Sequence, residues 1–105
     1  MNISKTLIEE IKRKCYIAND DEITLNRLND IIKDSLTKVK RMIGLENTDF
    51  NFEDEGNEEE LELLKNYCWY AWNDSSNEFK DNYSDDINSL HRKWEVKQYA
   101  EEESS

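Results

Sequence analysis

The chain has no proline and only two glycines, Gly44 and Gly56, among 105 residues. Strands and hairpins need turn residues at short intervals, so this scarcity leaves little room for β-structure and favours long helices. Nor does any run approach the roughly 18 consecutive apolar residues of a membrane span, and the N-terminus lacks the apolar core of a signal peptide. The expectation is a soluble chain that stays in a cytoplasm and touches no membrane. Cysteine and histidine are equally sparse: Cys15, Cys68 and His91 are the whole supply. A zinc site takes about four such ligands, or carboxylates, at local spacing. No metal or cofactor is therefore expected, and the two cysteines read as reduced, small core residues.

The same gaps argue against catalysis. A Cys–His pair can be drawn from Cys15 or Cys68 with His91, but neither cysteine lies in a nucleophile motif. No glycine-rich loop is available to supply backbone donors to an oxyanion or phosphate. The carboxylate groups Asp85–Asp86 and Glu53–Asp54–Glu55 read as helix-cap and loop charges, and the twelve-position calcium-loop pattern is missing. No catalytic residue is assigned.

What the chain has in plenty is charge. It carries 25 acidic and 14 basic residues, net −11, and its charged share of 37% slightly exceeds its hydrophobic share of 36%. Such a composition supports one thin core, hence a single domain over residues 1–100 with a polar flexible tail at 101–105 and a stability of about 5–15 kcal/mol. The charge is uneven. Residues 1–43 hold nine Lys/Arg and seven Asp/Glu, net +2, and residues 44–105 hold five and eighteen, net −13. Binding to nucleic-acid phosphates requires a basic surface, which the molecule as a whole does not offer. Unlike halves can instead face one another between neighbouring copies, or simply keep an acidic surface solvated.

Apolar spacing predicts an all-α fold, a small bundle of about four helices over approximately 4–17, 24–43, 58–80 and 84–99, with an acidic connector at 45–57. Ser4 caps the first helix, which is lined by Ile3, Leu7, Ile8, Ile11 and Cys15. Thr24 opens the second, whose stripe Leu25, Leu28, Ile32, Leu36, Val39 and Ile43 ends at Gly44. Lysines and arginines crowd the last turn of both, where they complement the helix dipole without invoking a nucleic acid. In the connector, Phe50 and Phe52 alternate with polar residues and point the same way from an extended segment, down onto the helices or a neighbouring subunit. Asn57 with Glu60 resembles a capping box at the start of the third helix. Ser84, Asp85 and Asp86 start the fourth, with Ile87, Leu90 and Trp94 as a narrow stripe and Tyr99 near its end.

Six of the eleven aromatic residues, Tyr67, Trp69, Tyr70, Trp72, Phe79 and Tyr83, fall within seventeen positions. Leu61, Leu64, Cys68, Trp72, Ser75 and Phe79 form one helical stripe there, while Leu63, Tyr67, Trp69 and Tyr70 place apolar bulk on the other sides. A helix so coated must be enclosed, by its own domain or by other copies of it.

The order of these segments carries a resemblance. ITLNRLNDIIKDSLTKVKRMIG, the connector DFNFEDEG, and LLKNYCWYAWNDSSNEFKDNYSDDINSLHRKW, from Ile23 to Trp94, together resemble the small head–tail connector proteins of long-tailed bacteriophages, also called head-completion or adaptor proteins. The resemblance implies an all-α subunit in a homo-oligomeric ring of about twelve copies, assembled head to tail. The ring would lie beneath the portal at the head–tail junction of the virion, after assembly in the host cytoplasm. It would extend the DNA channel, letting DNA pass without specific binding, and dock the next head-completion or tail protein. On this reading Tyr67, Trp69 and Tyr70 are ring or core aromatics, Phe50 and Phe52 are clamp residues, and Trp94 and Tyr99 contact the portal or the next protein. Several members engage the portal through an extended C-terminal segment. Here only about a dozen residues follow Trp94, ending in Glu101–Glu102–Glu103. Two other readings fit the composition: an acidic DNA-mimic inhibitor of a basic partner, and a helical regulatory protein.

Overall fold

A computed structural model describes the backbone of residues 3–104 and the side chains of residues 3–100. The described residues form five α-helices: α1 (Lys5–Lys14), α2 (Glu22–Met42), α3 (Glu58–Trp72), α4 (Phe79–Asn82) and α5 (Ser84–Ser104), with a 3-10 turn at Ser76–Glu78. The all-α expectation holds, and no strand occurs among the described residues. No helix there is long and apolar enough to cross a membrane.

Helix ends account for most differences from the expected boundaries. Ser4 caps α1 as expected, accepting from the Leu7 amide at 3.0 Å. The helix stops at Lys14 rather than near 17, because Tyr16 adopts φ 59°. The Tyr16 amide then donates to Arg13 and the Ile17 amide to Lys12, closing a Schellman motif. For α2 the cap is Asp21 and not Thr24: its carboxylate accepts from the Thr24 amide at 2.8 Å and the Thr24 hydroxyl at 3.0 Å. These two bonds hold the Asp21 carboxyl below the ordinary range.

The third helix was expected to reach Lys80 and ends at Trp72. Asp74 turns left-handed (φ 57°), and the Asp74 and Ser75 amides donate back to Ala71 and Tyr70. The chain then folds through the 3-10 turn into α4, so Phe79 returns to the core instead of continuing the α3 stripe. At the other end, α5 continues as helix over Glu101–Ser104, a segment expected to be a flexible tail; Ser105 lies outside the described residues.

Gly44 ends α2 at φ 79°, and a β-carbon there would stand 3.1 Å from His91 Nε2 on α5. Gly56 is also left-handed, at φ 95°, with nothing within 4 Å of such an atom. Gly44→Ala is therefore expected to lower stability by about 1–3 kcal/mol from backbone strain, with displacement of His91 added. Gly56→Ala carries strain alone. Urea denaturation of both variants tests this, and equal losses would remove the His91 contact from the account.

The core lies around α3. Counting 100° per residue, three directions around its axis are occupied by three helices. Cys68 faces α2, where the Ser35 hydroxyl lies beside its thiol. Lys65 pairs with Glu10 of α1 at 3.4 Å and Glu62 with Lys14 at 3.7 Å. Leu63 and Asn66 share a cleft with Leu90 of α5. The enclosure that the aromatic run demands is thus supplied largely within one chain. Arg27 of α2 also caps the far end of α3, its guanidinium 4.1 Å from the Trp72 ring centroid and donating to the Trp72 carbonyl at 2.8 Å.

Candidate functional site

Two neighbouring regions at the connector end of the bundle carry the unusual chemistry. The first is a buried ion pair. Glu60 stands in the first turn of α3, where the expected capping box would have it reach back to Asn57. Asn57 is the N-cap residue but makes no side-chain cap bond; its amide nitrogen donates instead to the Asn51 carbonyl at 2.8 Å. Glu60 points inward and is 0% exposed. Its carboxylate accepts from Lys93 Nζ at 2.9 and 3.3 Å and from Trp94 Nε1 at 3.2 Å, both on α5. A buried carboxylate is tolerable only when paired and hydrogen-bonded. Here one ammonium and one indole N–H meet that need.

Glu60, Leu63, Leu64, Tyr67 and Cys68 are all buried and follow an i, i+3, i+4, i+7, i+8 pattern. The stripe expected through Leu61 and Trp72 is therefore rotated, and both of those residues are only half-buried. A carboxylate on the core stripe was the available sign of a buried pair. The run Glu58–Glu59–Glu60 hid it, because three glutamates suit a helix N-terminus equally well.

Around this pair the connector lies down on its own helices. Phe52 is buried, and Phe50 meets it edge-to-face at 5.0 Å and meets Trp94 at 5.2 Å. Between α1, α2 and the connector, Ile3, Leu7, Leu36, Phe50 and Phe52 line a cleft of about 440 Å³, with Lys40 at its rim. The Lys40 ammonium donates to the Thr48 carbonyl and pins the connector there.

The second region is the far half of α5. Asn66 of α3 shares a cleft with Tyr83 and Asp86 at the root of α5, Leu63 shares it with Leu90, and Glu60 meets Lys93 and Trp94. The two helices therefore run antiparallel. Helix α5 runs on past Lys93 and Trp94, which meet the first turn of α3, and the overall shape is elongated, 50 × 28 × 19 Å. In this half Val96 and Tyr99 are each 62% exposed, and Lys97 lies 4.6 Å from the Trp94 ring centroid.

The residues singled out in the sequence thus divide. Tyr67 and Phe52 are core. Tyr70 is half-buried, packed edge-on to Trp69, Phe79 and Tyr83, and its hydroxyl accepts from Asn82 at 3.1 Å. Phe50 and Trp94 are half-buried against each other, Trp69 lies at the surface, and Tyr99 is largely exposed on α5. The structure brings Phe50, Phe52 and Trp94 together, and leaves Trp69 and Tyr99 apart from them.

Cys15 and Cys68 are buried, and burial pushes their thiols up to about 11 and about 12. At neutral pH both are protonated and poor nucleophiles. His91 is partly exposed, its ring over Gly44 at the end of α2 and its Nδ1 3.5 Å from Glu95. Among the described residues, no three His, Cys, Asp or Glu side chains gather closely enough to hold a metal ion. No family model, curated protein or solved structure matches the chain.

Proposed function

We propose that this chain is a structural connector subunit of a long-tailed phage virion. It assembles as a homo-oligomeric ring beneath the portal and docks the next head-completion or tail protein. The observation that carries the reading is the pair of exposed apolar side chains in the far half of α5. A helix that keeps Val96 and Tyr99 uncovered offers a partner an aromatic anchor, the type of residue that dominates binding at interfaces. The elongated body and the split between a mildly basic and a strongly acidic half suit head-to-tail contacts, which pair two different faces of one subunit.

Trp69 is the aromatic of the α3 run best placed for a ring contact, since Tyr67 and Tyr70 are occupied within the chain. Light scattering of the protein alone and with the cognate portal tests the proposal, the expected result being a ring mass in at least one of the two. The double variant Val96→Ser/Tyr99→Ser is expected to weaken docking about tenfold or more while leaving the melting temperature nearly unchanged. A chain that stays monomeric, ignores the portal and captures a basic DNA-binding protein would favour the acidic-mimic reading instead.

A further inference from the structure

Helix α5 has 21 residues and few attachments. Leu90 is its one buried residue among those described, with Ile87 and Trp94 half-covered. Among the described residues, its side-chain hydrogen bonds and ion pairs to the rest of the chain all end on Glu60. Its root is firm, because Tyr83 stacks on the buried Phe79 ring at 4.5 Å, just before the helix begins.

Between that root and the Glu60 anchor, the seam with α3 is open and of one charge. Glu59 and Glu62 of α3 and Asp86 of α5 line a cleft of about 410 Å³ over Leu63 and Leu90, and no cation lines it. From outside the seam, Lys14 on α1 reaches Glu62 at 3.7 Å. Like charges across a partly solvated seam push the two helices apart, and salt screens that push. The buried pair a turn further along pulls them together and is screened far less.

From these opposed forces we infer that α5 is a strap that opens from the body as a unit about Tyr83–Ser84. Glu60 is its catch, and the carboxylates of the α3–α5 seam are its spring. Opening uncovers Leu63, Phe50 and the inner face of α5 while α1, α2, α3 and α4 stay folded. This behaviour belongs to the single chain and does not depend on ring formation.

Native-state hydrogen exchange on the full chain at low ionic strength tests it. The α5 amides should exchange through their own opening, faster than those of α2 and α3, and should slow at about 1 M salt, where the screening length is about 3 Å. Lys93→Met should accelerate α5 exchange about a hundredfold or more, the effect of breaking one side of a buried pair, while the α2 amides keep their rate. Glu59→Gln/Glu62→Gln/Asp86→Asn, which removes the spring and leaves the catch, should slow α5 exchange severalfold. Opposite signs for these two variants are the signature of the strap. A common exchange rate for α5, α2 and α3 in the unmodified protein would overturn the inference, as would acceleration on neutralising the seam.

Discussion

Phe79→Ala is expected to remove about 3–5 kcal/mol of stability, the usual loss for a fully buried phenylalanine. The ring is 0% exposed and packs against three aromatic neighbours: Tyr67 at 5.0 Å, Tyr70 at 5.4 Å and Tyr83 at 4.5 Å. It is the plug that brings the chain back onto α3 after the helix has ended at Trp72. Small domains have only about 5–15 kcal/mol in total, so the variant should be marginal at room temperature. Urea denaturation followed by far-UV circular dichroism gives the loss, with Trp69→Ala as the surface comparison. A loss below about 1 kcal/mol at Phe79 would mean that the turn between α3 and α5 repacks freely.

Lys93→Met is expected to have an effect of similar size for a different reason. It leaves the Glu60 carboxylate buried without its ammonium, a situation that typically costs about 3–5 kcal/mol. Replacing both partners, Glu60→Leu/Lys93→Met, removes the stranded charge as well, and buried pairs replaced by apolar side chains are often neutral or better. The double variant should therefore recover most of what the single one loses. Because α5 is the element released, the urea transition of Lys93→Met should split, with an early helical phase absent from the double variant. A loss in the double variant equal to the sum of those of Glu60→Leu and Lys93→Met alone would show that Glu60 and Lys93 act independently of one another, contrary to their 2.9 Å contact.

The catch was legible in part. Glu60 at the head of the stripe Leu63, Leu64, Tyr67 and Cys68 marks a carboxylate on a core face, and any such group needs a cation. Which cation was not legible, because Lys93 lies 33 positions away and only the antiparallel run of α5 on α3 selects it. Phe50 and Phe52 show the same division. Their alternation predicted one shared direction, while the chain's own helices rather than a neighbour's became their partner once the Lys40 ammonium held the connector down. The aromatic run misled in one respect. Apolar residues on every side of α3 demanded cover from all round, and α1, α2 and the returning Phe79–Tyr83 segment supply most of it.

By itself the sequence determined an all-helical chain, because proline is absent, glycine nearly so, and apolar residues recur at helical spacing. It also determined where α1 begins and α2 ends, since Ser4 and Gly44 satisfy exposed backbone groups locally. Only the tertiary structure decided that α3 stops at Trp72, that Glu60 turns inward, and that Val96 and Tyr99 of α5 stay exposed. Those outcomes depend on which distant side chains meet, and local propensity carries no record of such meetings. They follow from Phe79 finding the core and from Lys93 and Trp94 reaching a buried carboxylate.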